Sequence, residues 1–243
     1  MGRVRAEIRD SIKAFADKLI AGLGENLKSI TVVGSSLTGD FLPRQSDINT
    51  VLVLDKQNPD NLKTLARMAK SMSKRHVAVP LIMTDGYIQR SRDVFGVEFL
   101  DFQLIHETIL GNDPFENLTF AKKDVRLQCE RELKAMLIRL RQGYIAAGAK
   151  KQLVRDVLIS TARGLIPLLR AILWLKEQQR PREALSVLAG AEGVLSVNTQ
   201  GLAAARKWRC EKLRPNDSEL TKTFESVYET IDRIAVIVDE LEV

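Results

Sequence analysis

Val33-Gly34-Ser35-Ser36-Leu37-Thr38-Gly39-Asp40-Phe41-Leu42-Pro43-Arg44-Gln45-Ser46-Asp47-Ile48-Asn49 lies between two β-rich segments, and its reading decides the fold. Upstream, Ser29-Ile30-Thr31-Val32-Val33 reads as a short strand that stops at a glycine; downstream, Ile48 to Leu54 reads as a second, more deeply buried strand. On that second strand residues 47 and 49 alternate with Ile48, so Asp47 and Asn49 leave one face and Ile48 the other. Two ligands can therefore address one cation. Gly34 permits a tight exit from the first strand, and Ser35, Ser36 and the neighbouring backbone donors can hold phosphate oxygens as a nest at a helix start. The same residues also suit a plain turn with an N-cap, with Asp47 capping a strand end.

Outward from this loop, Val4, Ile8, Ile12, Phe15, Ala16, Leu19 and Ile20 recur at helical spacing, and Gly22 and Gly24 end that helix. The Asn58-Pro59 turn precedes a second helix over Leu62 to Met72. Val77 to Met83 and Val97 to Phe102 are predicted as two further strands, with a polar segment containing Gly86, Arg90 and Arg92 between them. From about Asp124 the pattern turns helical: Val125 to Tyr144, Leu153 to Leu175, a shorter helix after Pro181, Gln200 to Leu213, and Ser218 to Leu241. Pro167 is expected to kink or divide the second of these near Gly164 to Ile166. The turn residues Asn112, Asp113 and Pro114 mark the division, giving an α/β domain over 1–120 and a helical bundle over 121–243. The fold class is α+β, a small mixed-sheet domain followed by a C-terminal helical bundle.

Composition narrows the chemistry. With 45% hydrophobic and 28% charged residues in 243, the chain is an ordinary globular protein, neither disordered nor fibrous. Cys129 and Cys210 are too few for a disulfide scaffold and lie in no metal-binding pattern, which points to a reducing compartment. His76 and His106 are the two histidines, so zinc sites built on several imidazoles are excluded and carboxylates must carry any metal chemistry. For His106, which follows the fourth predicted strand, packing or surface polarity ranks above a general-base role. MGRVRAEIRDSIKAF has no apolar signal core and no stretch approaches 18 uncharged apolar residues, so the expectation is a cytoplasmic protein without a membrane partner. The net +6 is uneven: residues 122–182 hold fifteen Lys or Arg against five acids, a net +10, leaving −4 elsewhere. Such a surface is either a solvated helix face or a phosphate-attracting one. Tyr144, Trp174, Trp208 and Tyr228 are too separated in sequence for a base-stacking surface and read as bundle anchors; nucleic acid is not the favoured partner.

The Gly34-Ser35 element with Asp47 twelve positions after Ser35 resembles the signature of the nucleotidyltransferase superfamily with the DNA polymerase beta-like fold. In that signature Gly-Ser precedes an Asp-hydrophobic-Asp pair on the next strand, and here Asn49 stands at the second carboxylate position. Val79 to Thr84, Val97 to Phe102, Leu110 to Pro114 and Leu127 to Leu133 resemble a bacterial group of predicted nucleotidyltransferases with a helical C-terminal region. The resemblance implies magnesium, with manganese as the alternative ion, held at Asp47 and Asn49. It implies a nucleoside triphosphate bound by Gly34, Ser35, Ser36 and Arg44, and transfer of a nucleoside monophosphate to a small-molecule or protein acceptor with release of pyrophosphate. Asn49 can offer an amide oxygen to magnesium but neither the charge of an aspartate nor a site for the acceptor proton. The third carboxylate of the family has no match in Val77 to Met83, leaving Glu98 or Asp101 on the next predicted strand. Three apart, they point to opposite faces there, so one at most is aimed at Asp47, with Asp101 ranked ahead of Glu98. The alternative reading is a catalytically reduced member that binds nucleotide or a protein partner in a regulatory role.

Overall fold

The computed structural model describes residues 5–43, 45–148 and 150–243, which fall into two compact units. One takes the chain through Asp93 and again from Phe99 to Thr119; the other comprises Val94–Glu98 and Phe120–Val243.

The first unit is built on a four-stranded mixed sheet. Strands β1 (Leu27–Val33), β2 (Asn49–Leu54), β3 (Leu81–Met83) and β4 (His106–Leu110) lie in the order β3-β2-β1-β4. β1 runs antiparallel to both neighbours, and β2 and β3 are parallel. Helix α1 (Ala6–Leu23) buries Ile8, Ile12, Phe15 and Leu19, a four-three-four spacing that lines one face of a helix. Helix α2 (Pro59–Ser73), the crossover from β2 to β3, starts where the Asn58 side chain accepts the Asn61 N–H at 3.0 Å and Pro59 takes the first turn. The apolar faces of α1 and α2 pack with Ile30, Val32, Leu52 and Leu54 into one core. The alternate sheet positions Thr31 and Thr108 share a hydrogen bond at 3.0 Å on the other face. A short helix α3 (Asp85–Arg90) follows β3.

Three expectations for this half are corrected. Val97 to Phe102 is no strand but part of helix α4 (Gly96–Leu104), which contributes residues to both units. Its run of bulky residues buries Val97, Phe99 and Leu100, and a short apolar run of this kind fits either period. Within Val77 to Met83, Leu81–Met83 forms the strand, while Val77 makes an isolated bridge to Ile48; Pro80, without an N–H, interrupts the ladder. The fourth strand is instead β4. It ends at Gly111, whose φ of +74° suits glycine, and a Cβ there would stand 1.9 Å from the Lys28 carbonyl oxygen.

The second unit contains helices α5 (Lys122–Ala147), α6 (Lys151–Leu175), α7 (Ala184–Leu195), α8 (Gln200–Cys210) and α9 (Asp217–Asp239). α6 packs against α5, α7, α8 and α9 and is its centre. Pro167 does not divide α6, which remains one assigned helix from Lys151 to Leu175 with Leu165, Leu169 and Ile172 buried around the proline. α6 is the one helix among the described residues long and apolar enough to cross a membrane, by length and composition, but 61% of its most apolar 18-residue stretch is buried inside the protein. Its Arg170, 6% exposed, is satisfied by the carbonyls of Pro181 and Arg182. α9 opens on a reciprocal capping box, Asn216 with Glu219. Val94–Glu98 joins this unit because Gln128 of α5 binds it twice: its Oε1 accepts the Val97 N–H at 2.9 Å and its Nε2 donates to Glu98 Oε2 at 2.6 Å.

Candidate functional site

The site grows from the end of β1. Val33 is extended, and Gly34 then turns the chain at φ +79°, a left-handed value that favours glycine. Its N–H donates to the Ile105 carbonyl at 3.1 Å, tying the turn to the start of β4. Gly34–Leu37 forms one tight helical turn, closed by Thr38, whose N–H and hydroxyl both donate to the Ser35 carbonyl at 3.0 and 3.1 Å. Ser36 is 1% exposed, and its hydroxyl has no hydrogen-bond partner among the described residues.

A second turn delivers Asp47. The Leu42 carbonyl accepts the N–H groups of Gln45 and Ser46 at 3.0 and 2.9 Å, and the Ser46 hydroxyl accepts the Leu42 N–H at 3.2 Å. Beyond it Asp47 and Asn49 are exposed while Ser46, Ile48 and Thr50 are buried, so the two candidate ligands share one face. Ile48 is clamped through its backbone: its N–H donates to the His76 carbonyl at 2.7 Å, and its carbonyl accepts the Ala78 N–H at 3.0 Å. Between the Ile48–Val77 bridge and the Val51–Leu81 pairing, the segment that runs alongside Asn49 and Thr50 is Ala78, Val79 and Pro80, which has no ligand side chain. On the other side Asn49 pairs with Val33, and Val33 with His106. Asn49, Val33 and His106 thus form one row across the sheet, at about 4.8 Å per strand.

The remaining candidates lie on other elements. Glu98 and Asp101 lie on a helix, where positions three apart share a side, instead of on opposite faces of a strand. The Glu98 carboxylate is bonded to Gln128 inside the helical unit, and Asp101 is half-buried in α4. Arg44 lies outside the described residues. Among the described residues no three His, Cys, Asp or Glu side chains gather as a metal cluster. Asp47 and Asn49 could offer two side-chain oxygens to one hard cation, and among the described residues no third His, Cys, Asp or Glu joins them.

Sequence reading missed one polar arrangement. His106 Nε2 and Asp113 Oδ2 are 2.6 Å apart, and Asp113 Oδ1 accepts the Phe115 N–H at 2.8 Å. The signal is the Gly111 turn, which brings residues seven apart together. The basic stretch 122–182 is largely engaged within its own unit: Lys122 with Glu177, Arg126 and Lys134 with Glu130, Arg139 with Glu132, Lys151 with Asp217 and Arg155 with Asp156. Tyr144 and Tyr228, distant in sequence, meet through Phe224 at centroid distances of 4.1 and 6.2 Å, and Arg141 donates to the Tyr228 hydroxyl at 2.6 Å. They anchor α5 to α9.

No protein-family model and no curated protein sequence matches the chain. A solved structure does: spectinomycin adenyltransferase AAD(9) from Enterococcus faecialis, determined with ATP and spectinomycin. It is 11% identical, with a TM-score of 0.59 over 92% of this chain and 98% of that one. At that identity the likeness speaks for the fold, and it agrees with the four-stranded mixed sheet and the helical second unit. The chain has a nucleotidyltransferase-like α+β fold.

Proposed function

We propose that the first unit binds a nucleoside triphosphate, its phosphates at the Gly34–Ser36 turn and a magnesium or manganese ion at Asp47 and Asn49, and that it is a catalytically reduced nucleotidyltransferase. One observation carries the reduction: positions 47 and 49 hold one carboxylate between them, and the segment 77–83 that pairs with β2 and its approach holds none. When bound, the cation supplies charge neutralisation of the phosphates. The chain's own residues supply the rest of the binding. Gly34 opens the turn, the Ser36 hydroxyl gains in a phosphate oxygen the acceptor it lacks, and Asp47 carries the negative charge. What Asn49 and Ala78 withhold is a group to take the proton of an attacking hydroxyl.

A second reading is slow transfer of a nucleoside monophosphate to a small-molecule or protein acceptor. It is favoured by the exposed Asp47 and by the likeness to an enzyme whose structure was determined with ATP and spectinomycin. Calorimetric titration of ATP with magnesium, beside pyrophosphate release over a broad acceptor set, separates the two. The proposed function expects saturable binding, weakened at least tenfold in Asp47→Ala, and release that emerges in the double variant Asn49→Asp, Ala78→Glu. Rapid Asp47-dependent release by the unaltered chain would favour the second reading; absence of ATP binding would refute both.

A further inference from the structure

His106 opens β4 beside Val33, the residue from which the Gly34 turn departs, and the preceding carbonyl, that of Ile105, accepts the Gly34 N–H at 3.1 Å. In an antiparallel pair, opposite residues project from one face, so the imidazole shares the face of Val33 and Asn49. A carboxylate can only accept, so the proton in the 2.6 Å contact sits on His106 Nε2 and is shared with Asp113 Oδ2. The Asp113 carboxylate is fixed in turn by the Phe115 N–H at 2.8 Å, and the Phe115 ring stands edge-on to the imidazole at 5.8 Å. The ring is therefore held from one side. Its other nitrogen, Nδ1, is buried and has no hydrogen-bond partner among the described residues.

Buried polar atoms in folded proteins are nearly always paired, and an exception asks for a missing partner. Two such atoms flank the same turn: His106 Nδ1 on β4 and Ser36 Oγ within the turn. The charged group facing the imidazole is Asp113, from the loop after β4; β1 presents Val33, and Glu107, next along β4, leaves the opposite face.

We infer that His106 is a phosphate-contacting residue of the proposed nucleotide site, donating from Nδ1–H to an oxygen of the phosphate chain, with Asp113 as its positioning residue. The inference rests on the nucleotide-binding reading and extends it to a residue on the strand at the far side of β1 from Asp47. Because the Nε2–H tautomer leaves Nδ1 bare, binding takes up one proton from solvent at Nδ1, and the resulting imidazolium is flanked by two anions, each accepting one N–H, a charge-assisted arrangement. The contact selects for the phosphate chain over the nucleoside.

The test is binding of ATP, inorganic tripolyphosphate and adenosine, each with magnesium, to the full chain and to His106→Gln. Loss of one charge-assisted hydrogen bond predicts about tenfold or more weaker binding of ATP and tripolyphosphate, with adenosine unchanged. Imidazole 15N resonances of the unaltered protein give a second readout that requires no variant to fold. With two histidines in the chain, Nδ1 of His106 should move on saturation with ATP while His76 stays in place. Undiminished ATP binding by His106→Gln, or an Nδ1 resonance that ignores bound ATP, overturns the inference and leaves nucleotide binding standing. If the unaltered chain binds no ATP, the nucleotide reading itself has failed.

Discussion

Replacing Asn49 with aspartate turns one amide into a second carboxylate on the exposed face that holds Asp47, and the change acts with opposite signs with and without a divalent cation. Residues two apart on a strand place like-facing side chains about 6.5–7 Å from each other. Both positions are exposed, so the repulsion of two unit charges there is screened to about 0.5–1 kcal/mol. For a small domain that lowers Tm by about 2–6 °C. With magnesium the sign reverses, because a doubly charged ion meets a second carboxylate in place of a neutral amide oxygen. Even discounted for solvent, that attraction amounts to at least about 1.4 kcal/mol, or tenfold tighter ion binding. Thermal melts of Asn49→Asp and the unaltered chain, in EDTA and in millimolar magnesium, read both halves. The variant should melt lower in EDTA and recover in magnesium by more than the unaltered chain gains. Equal melting in EDTA together with no extra magnesium response would refute the placement of residues 47 and 49 on a shared face.

Two further predictions concern stability. Gly111→Ala drives a Cβ to 1.9 Å from the Lys28 carbonyl and adds a side chain at φ +74°, so β4 must shift from β1. The cost is on the order of 3 kcal/mol or more, read as a lower denaturant midpoint. Cys129 has its thiol pushed up to about 12 by burial, with Glu98 and Glu132 adding to the rise. The native thiol stays neutral and should resist alkylating reagents that label the half-exposed Cys210. The sign of its pH effect follows: the unfolded thiol ionises near 9.0 and the native one near 12, so its contribution is intact below pH 9 and falls as pH rises between those values. Chemical denaturation at pH 7, 9 and 10.5 should show that decline, reduced in Cys129→Ala.

The face shared by Asp47 and Asn49 was legible because Ile48 between them is strongly apolar, and a period of two needs no tertiary information. Helices of the second unit that bury one stripe were legible for the related reason, as α9 with Leu220, Val227, Ile231 and Ile234, while the central α6, buried almost all round over 165–175, was legible from the length of its apolar run. Helix α4 was not: Val-Glu-Phe-Leu-Asp-Phe offers bulky residues to either period, and what decides it is burial on packing. β4 escaped for the opposite reason. All five of its residues are half-buried, so His-Glu-Thr-Ile-Leu carries no alternation to read. The face argument that ranked Asp101 ahead of Glu98 failed with α4, since it used the period of a strand and the two lie on a helix. Pairings set by closure, such as His106 with Asp113 or Tyr144 with Phe224, leave no periodic trace.

Gln128 holds Val97 and Glu98 across thirty-odd positions of sequence, and this makes the helical unit discontinuous along the chain. During synthesis, residues 94–98 leave the ribosome before β4, yet their partner on α5 follows only after β4 is complete. A chain stopped at residue 120 would contain every strand of the sheet and still carry an orphaned Val97 N–H and an unpaired Glu98 carboxylate. Expression of the sheet unit alone therefore calls for repair of that segment, and a cut in the Asn112–Asp113–Pro114 turn separates less than its turn-like sequence suggests.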